Sequence, residues 1–169
     1  MQTPSLPLAA NDPDQAYVLL TCWLHECADM PAVQALTPAT KTQFLTVLQH
    51  ILADTEDINV DHEDIWTVLA GAASIQFGMA TGEGHNRAAV VGQQLWEDSI
   101  MLGDSTLPAH QILLAIQSGI ATELEMDELT QLLEYVMSQA GDQAEVIFGH
   151  GLNPALGESI QVMMLVSRC

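Results

Sequence analysis

Ile65-Trp66-Thr67-Val68-Leu69-Ala70-Gly71-Ala72-Ala73-Ser74-Ile75-Gln76-Phe77-Gly78-Met79 is the stretch in which the chain changes its period. Up to Ala72 the apolar positions Ile65, Val68, Leu69 and Ala72 recur at helical spacing. From Ser74 the spacing becomes two. Ile75, Phe77 and Met79 alternate with Ser74, Gln76 and Gly78, as on a half-buried strand. A helix therefore feeds directly into a strand near residue 74, and the elements on either side of that switch decide the fold class.

Downstream, Gly82-Glu83-Gly84 breaks the strand, and Asn86 is placed to cap a helix carrying Ala88, Val91, Leu95 and Trp96. Residues 103–108 read as loop. Ile112-Leu113-Leu114-Ala115-Ile116 is a continuous apolar run, which suits a strand buried on both faces. Leu129, Leu132, Leu133, Val136 and Met137 mark another helix, closed by Gly141. Val146-Ile147-Phe148 and Ile160 to Val166 are two more strands, with Asn153-Pro154 and Gly157 in the turn between them. The expected fold is α+β, a four-stranded mixed sheet with packed helices.

Upstream, the chain reads as helical. Residues 1–11 form a Pro-containing leader, and Asp12-Pro13-Asp14-Gln15 is a helix start. Ala16, Leu20, Trp23, Leu24 and Cys27 follow at helical spacing, with Pro31 expected to end that helix. Thr37-Pro38 repeats the cap-then-proline start for a second helix, whose buried stripe is Phe44, Val47, Leu48, Ile51 and Leu52. Asp54-Thr55-Glu56-Asp57 is an acidic loop, and a third helix begins at about Asp61. The division is 1–38, a leader and extra N-terminal helix; 39–73, a helix end, an acidic loop and the next helix; and 74–169, the α+β unit.

Three Lys+Arg against 22 Asp+Glu leave a formal net charge of −19. That balance argues against nucleic acid and anionic membrane surfaces as partners, because both are bound through Lys and Arg. Cys22, Cys27 and Cys169 are few and odd in number, so free thiols in the cytoplasm are expected rather than a disulfide framework. No signal-peptide pattern or apolar run of membrane-spanning length is present.

The order of these motifs resembles the C-terminal half of FtsZ, the bacterial tubulin-like cell-division GTPase. The family's synergy loop, N-V-D-F-A-D-V, is similar to Asn59-Val60-Asp61-His62-Glu63-Asp64-Ile65. Gly78 falls on a family glycine, and Asn86-Arg87-Ala88 falls where the family has D-R-A. Ile112–Ile116 with Gly119, then Asp127-Glu128, are similar to its L-N-I-x-x-G and D-E, and Val146-Ile147-Phe148-Gly149 and the last strand complete the pattern. The G-G-G-T-G-T-G phosphate loop of the family does not occur in these 169 residues. The resemblance thus implies a C-terminal domain standing alone, with no nucleotide or other cofactor and no independent enzyme activity.

In FtsZ the nucleotide lies between subunits, and the next subunit's loop brings acids that position the attacking water. The resemblance therefore marks Asn59, Asp61, His62, Glu63 and Asp64 as interaction residues. Asp61 and Asp64 are the candidates for catalysis in trans, and FtsZ or a related GTPase is the implied partner. Self-association as a scaffold is the remaining alternative. By residue type alone, Asn59 and Asp61 are equally good helix caps, and acids in a first turn suit the helix dipole. Cys22, His25 and Glu26 share a helical face, and His50 lies near Asp54, but neither set offers a full metal-ligand complement, so no metal is expected. Arg87, one of so few cations, is expected to pair with an Asp or Glu.

Overall fold

The computed structural model describes residues 14–52, 60–70 and 72–169. The elements run α1 (Asp14–Glu26), α2 (Pro31–Gln34), α3 (Pro38–Ile51), α4 (His62–Ala70), β1 (Ser74–Gly82), α5 (Arg87–Glu97), β2 (Ile100–Leu102), β3 (Ala109–Ser118), α6 (Met126–Ala140), β4 (Glu145–Leu152), a 3-10 turn (Pro154–Leu156) and β5 (Ile160–Arg168). The start signals Asp12 and Pro13 and the loop Asp54–Asp57 lie outside the described residues.

The expected switch from helix to strand occurs at Ser74. The α+β class holds, but the sheet has five strands in the order β2-β1-β5-β3-β4, not four. The extra strand is Ile100-Met101-Leu102, three residues that pair antiparallel only with Ile75–Phe77. Three residues are too few to display a period of two, which is why the sequence conceals it. β1 lies antiparallel to β5 from Ser74 opposite Arg168 to Gly82 opposite Ile160. β5 is also antiparallel to β3. Only β3 and β4 are parallel, joined by the crossover helix α6.

Strand alternation sends side chains to two separate cores. On one face Ile75, Phe77, Leu113, Ala115, Met163 and Leu165 pack with buried residues of α1, α3 and α4. On the other, Ala80, Ile112, Leu114, Ile116, Val162, Met164 and Val166 pack with α5 and α6. The apolar run Ile112–Ile116 is buried on both faces, as its composition predicts.

The N-terminal helix is tied into the first core by aromatic contacts. Trp23 of α1 meets Phe44 of α3 edge-on at 5.5 Å, and Phe44 meets Phe77 of β1 at 4.7 Å. Each such pair adds about 1 kcal/mol beyond its buried area.

Two local expectations are corrected. Pro31 does not end α1, which stops at Glu26; it opens the short helix α2, where a missing N–H costs nothing. Asn86 occupies the cap position of α5 but makes no side-chain cap hydrogen bond. The Thr37 cap forms as expected, accepting from the backbone N–H of Thr40 at 3.2 Å.

Small residues set the spacing of layers. A Cβ on Gly82 would sit 2.7 Å from Val91 of α5, and one on Gly78 would sit 3.0 Å from the carbonyl oxygen of Leu95. Both glycines let α5 approach the sheet closely. A Cβ on Gly119 would overlap the carbonyl oxygen of Gly157, so backbone meets backbone with no side chain free to yield. Gly119→Ala is therefore expected to cost more than about 3 kcal/mol in urea unfolding. Gly84→Ala, whose Cβ meets nothing but whose φ is +89°, is expected to cost only about 1 kcal/mol.

Candidate functional site

The acidic pair singled out in the sequence forms a reciprocal cap at the start of α4. The backbone N–H of Asp64 donates to Oδ1 of Asp61, and the backbone N–H of Asp61 donates to Oδ2 of Asp64, both at 3.0 Å. This is a capping box built from two aspartates, and it satisfies donors that the first helical turn leaves free. Val60 is buried and anchors the entry, Glu63 is exposed, and Asp61, His62 and Asp64 are half-buried. Asn59 lies outside the described residues.

One oxygen of each aspartate is committed to the cap and the other is not. Burial pushes the Asp64 carboxyl above its ordinary range; the Asp61 amide opposes this, while the charges of Asp61 and Glu63 add to it. The helix start can thus offer carboxylate oxygens and the exposed charge of Glu63 to a cationic or hydrogen-bond-donating surface.

A second site is built around Arg87, which is only 2% exposed. Its side chain is held at the first residue of α5, the positive end of that helix dipole, where a cation is disfavoured. The surroundings compensate. Nε and Nη2 form a fork onto the two oxygens of Glu128, at 2.6 and 2.8 Å. The remaining donors go to the carbonyl oxygens of Thr122, Glu123 and Glu158. Every N–H of the guanidinium is used.

Glu128 also accepts from the Glu125 amide, closing a second capping box at the start of α6. The Arg87 hydrogen bonds hold the Glu128 carboxyl below its ordinary range, and the pairing raises Arg87. A cleft of about 360 Å³ opens over this knot between His85, Thr122, Glu125 and Glu158. The expectation of an acidic partner for Arg87 is met by Glu128, 41 residues downstream.

Sequence reasoning missed a polar cluster at the end of β3. Ser118 bonds His150 Nε2 at 2.8 Å and accepts from the Leu124 amide, while Gln117 bonds Asn153 and the carbonyl of His50. No spacing signal links these residues, because the topology alone brings them together. Of the weaker candidates, Cys22 is half-buried while His25 and Glu26 are exposed, and Asp54 lies outside the described residues. No helix among the described residues is long and apolar enough to cross a membrane.

These elements define a C-terminal domain of the tubulin-like type. Residues 71–168 match the family model of the FtsZ family, C-terminal domain. The chain belongs to the FtsZ family. Among solved structures, the empty FtsZ dimer of M. jannaschii aligns with a TM-score of 0.60 at 16% identity, over 76% of this chain and 38% of that one. GDP-bound CetZ1 from Haloferax volcanii aligns at 0.53 and 16% identity, over 79% of this chain and 41% of that one. GTPγS-bound CetZ2 from the same organism aligns at 0.50 and 16% identity, over 76% and 39%. The chain therefore spans about two fifths of the length of the structures it matches. At such identity the likeness is one of fold.

Removing the Arg87 knot has a definite expected signature. Glu128→Gln leaves a buried cation with half its fork and is expected to cost about 3 kcal/mol. Arg87→Lys keeps the charge but not the planar fork, and is expected to cost about 2 kcal/mol. Because the folded-state pKa of Glu128 is depressed below 4.5, its contribution is present above that pH and is lost as pH falls through the folded value. Thermal melts of the native chain should lose stability across that acid window, and Glu128→Gln should lose less.

Proposed function

We propose that this chain is a protein-interaction module that docks on FtsZ or a related tubulin-like GTPase through the acidic start of α4 and modulates its assembly. The observation that carries the reading is the surface placement of Asp61, Glu63 and Asp64 on a helix start of an FtsZ-family domain. Two solved relatives of this fold support it, since one is a dimer and another a protofilament. Charge supports it as well. Arg87 and Arg168 are both buried, so Lys41 is the one exposed Lys or Arg of the chain, and the outward charge is almost wholly negative. Such a surface steers toward cationic patches and repels its own copies.

Docking is favoured over catalysis in trans because each aspartate already gives one oxygen to the cap of α4. A carboxylate that orients an attacking water needs its lone pairs directed outward.

Purified FtsZ polymerising with GTP is the test system. Titration of this chain to stoichiometry is expected to change both the sedimented polymer and the rate of phosphate release; an unchanged polymer and rate would exclude docking. The pair Asp61→Asn and Asp64→Asn keeps the cap, since Asn serves at a helix start as well as Asp, but removes the charge. It is expected to weaken association about fivefold, as rim charges do. Full association with hydrolysis stimulation abolished would instead assign the pair a catalytic role.

A further inference from the structure

α3 and β1 enclose a groove beside the short strand β2. β2 pairs with β1 only along Ile75–Phe77, so among the described residues no strand flanks Gly78 and Met79 on that side. A groove of about 250 Å³ opens there, lined by Thr46 and Val47 of α3, Phe77 and Met79 of β1, and Asp98 and Ile100 where α5 passes into β2. Val47, Phe77, Met79 and Ile100 make its apolar part, and Met79 is 36% exposed. Asp98 is the one charged residue of the lining. Pockets that hold small organic ligands measure about 300–1,000 Å³, so this volume suits a few side chains instead.

The chemistry of the groove selects its occupant. A second copy is opposed by the outward charge, which is almost wholly negative. The leader 1–13 lies outside the described residues, and residues 1–11 of it carry no charge. Leu6 and Leu8 are apolar side chains of the size the groove takes. The other long stretch outside the described residues, 53–59, carries Asp54, Glu56 and Asp57 and would set carboxylates against Asp98. Pro4 and Pro7 lack an N–H, which costs nothing in a segment that joins no helix or sheet interior. Reach is sufficient. About 14 Å of helix separates Asp14 from Trp23, at 1.5 Å per residue. Trp23 then meets Phe44 at 5.5 Å, and Phe44 meets Phe77 of the groove at 4.7 Å. Leu6 has about 27 Å of extended chain with which to cover that path.

From this groove, its neutral apolar lining and the reach of the chain we infer that the leader is a strap, which seats Leu6 and Leu8 between α3 and β1. The strap covers Met79 and ties the N-terminal helices to the sheet from outside. Because the leader runs directly into α1, and α1 packs on α3, the groove meets it at an effective concentration on the order of millimolar. Weak apolar contacts then suffice to hold it. Met126, 74% exposed at the start of α6, belongs to the other face of the sheet and stays outside the strap. Met163 and Met164 are buried in β5 and report on the fold itself.

Mild peroxide oxidation of the full chain, with sulfoxide at each Met read by peptide mass spectrometry, tests the strap. Met79 is expected to oxidise about fivefold faster in the doubly substituted Leu6→Asp, Leu8→Asp chain than in the native one, since sulfoxide formation follows exposure. Met126 should oxidise at the same rate in both, and Met163 and Met164 should stay protected in both. Equal rates at Met79 overturn the strap. A second measurement needs no variant: nuclear Overhauser contacts of the Leu6 and Leu8 methyl groups with the Met79 methyl are expected in the native chain. If Met163 or Met164 oxidises in the variant, its fold is lost and these contacts decide alone. Their absence overturns the strap. So does their appearance only between differently labelled copies in a mixed sample, which assigns the groove to a second copy.

Discussion

The guanidinium of Arg87 is the constraint on which the sheet's second face depends. It joins the start of α5, the loop before α6, the first turn of α6 and the carbonyl of Glu158 just ahead of β5. The acceptors lie 35 to 71 residues downstream of Arg87 in sequence. A buried ion pair is a poor source of net stability when weighed against an apolar replacement of equal shape. Its value here is geometric, because a planar fork with every donor engaged admits one arrangement of its acceptors. The backbone contact of Gly119 with Gly157 follows from that arrangement, since it brings the loops after β3 and β4 against each other.

The other cation that is buried, Arg168, is handled differently. Among the described residues it has no carboxylate partner: Nη1 donates to the carbonyl of Leu107, Nη2 to Gln76, and the guanidinium lies 5.9 Å from the ring of Trp96. Burial lowers its pKa. Trp96 is near the last turn of α5, the negative end of that dipole, so α5 has a buried arginine at each end. The one at the C-terminal end is favoured by the helix, and the one at the N-terminal end needs Glu128.

The sequence carried the first core and most of the second, but not the contacts that lock them. Apolar period located α3, α4, β1 and α6, apolar runs located β3 and β5, and Thr37-Pro38 marked a helix start that forms as written. Asp61 was legible as a cap and Asp64 as an acid of the first turn, while the family resemblance marked both as expected interaction residues. The spacing of three that makes them neighbours at a helix start is the same in either role, so only coordinates reveal the reciprocal hydrogen bonds. Arg87 was legible as a paired cation, yet the choice of Glu128 among 22 acids depends on how α5 and α6 cross. β2 and the Ser118–His150 contact were not legible, because neither has a local pattern.

The sheet is covered on both faces, but among the described residues no strand pairs with the outer side of β4. The first face is closed by α1, α3 and α4 through Trp23, Phe44 and Phe77, and the second by α5 and α6. An open, apolar edge would ordinarily invite pairing between copies. Here the exposed charge is almost entirely of one sign, so two copies meeting edge to edge would bring like charges together, the exposed Glu145 of β4 among them. Charge thus does at this edge what Lys or Pro does at others: it opposes pairing of the strand with its own copy. Screening by salt weakens that opposition, so self-pairing at the edge is opposed less as ionic strength rises.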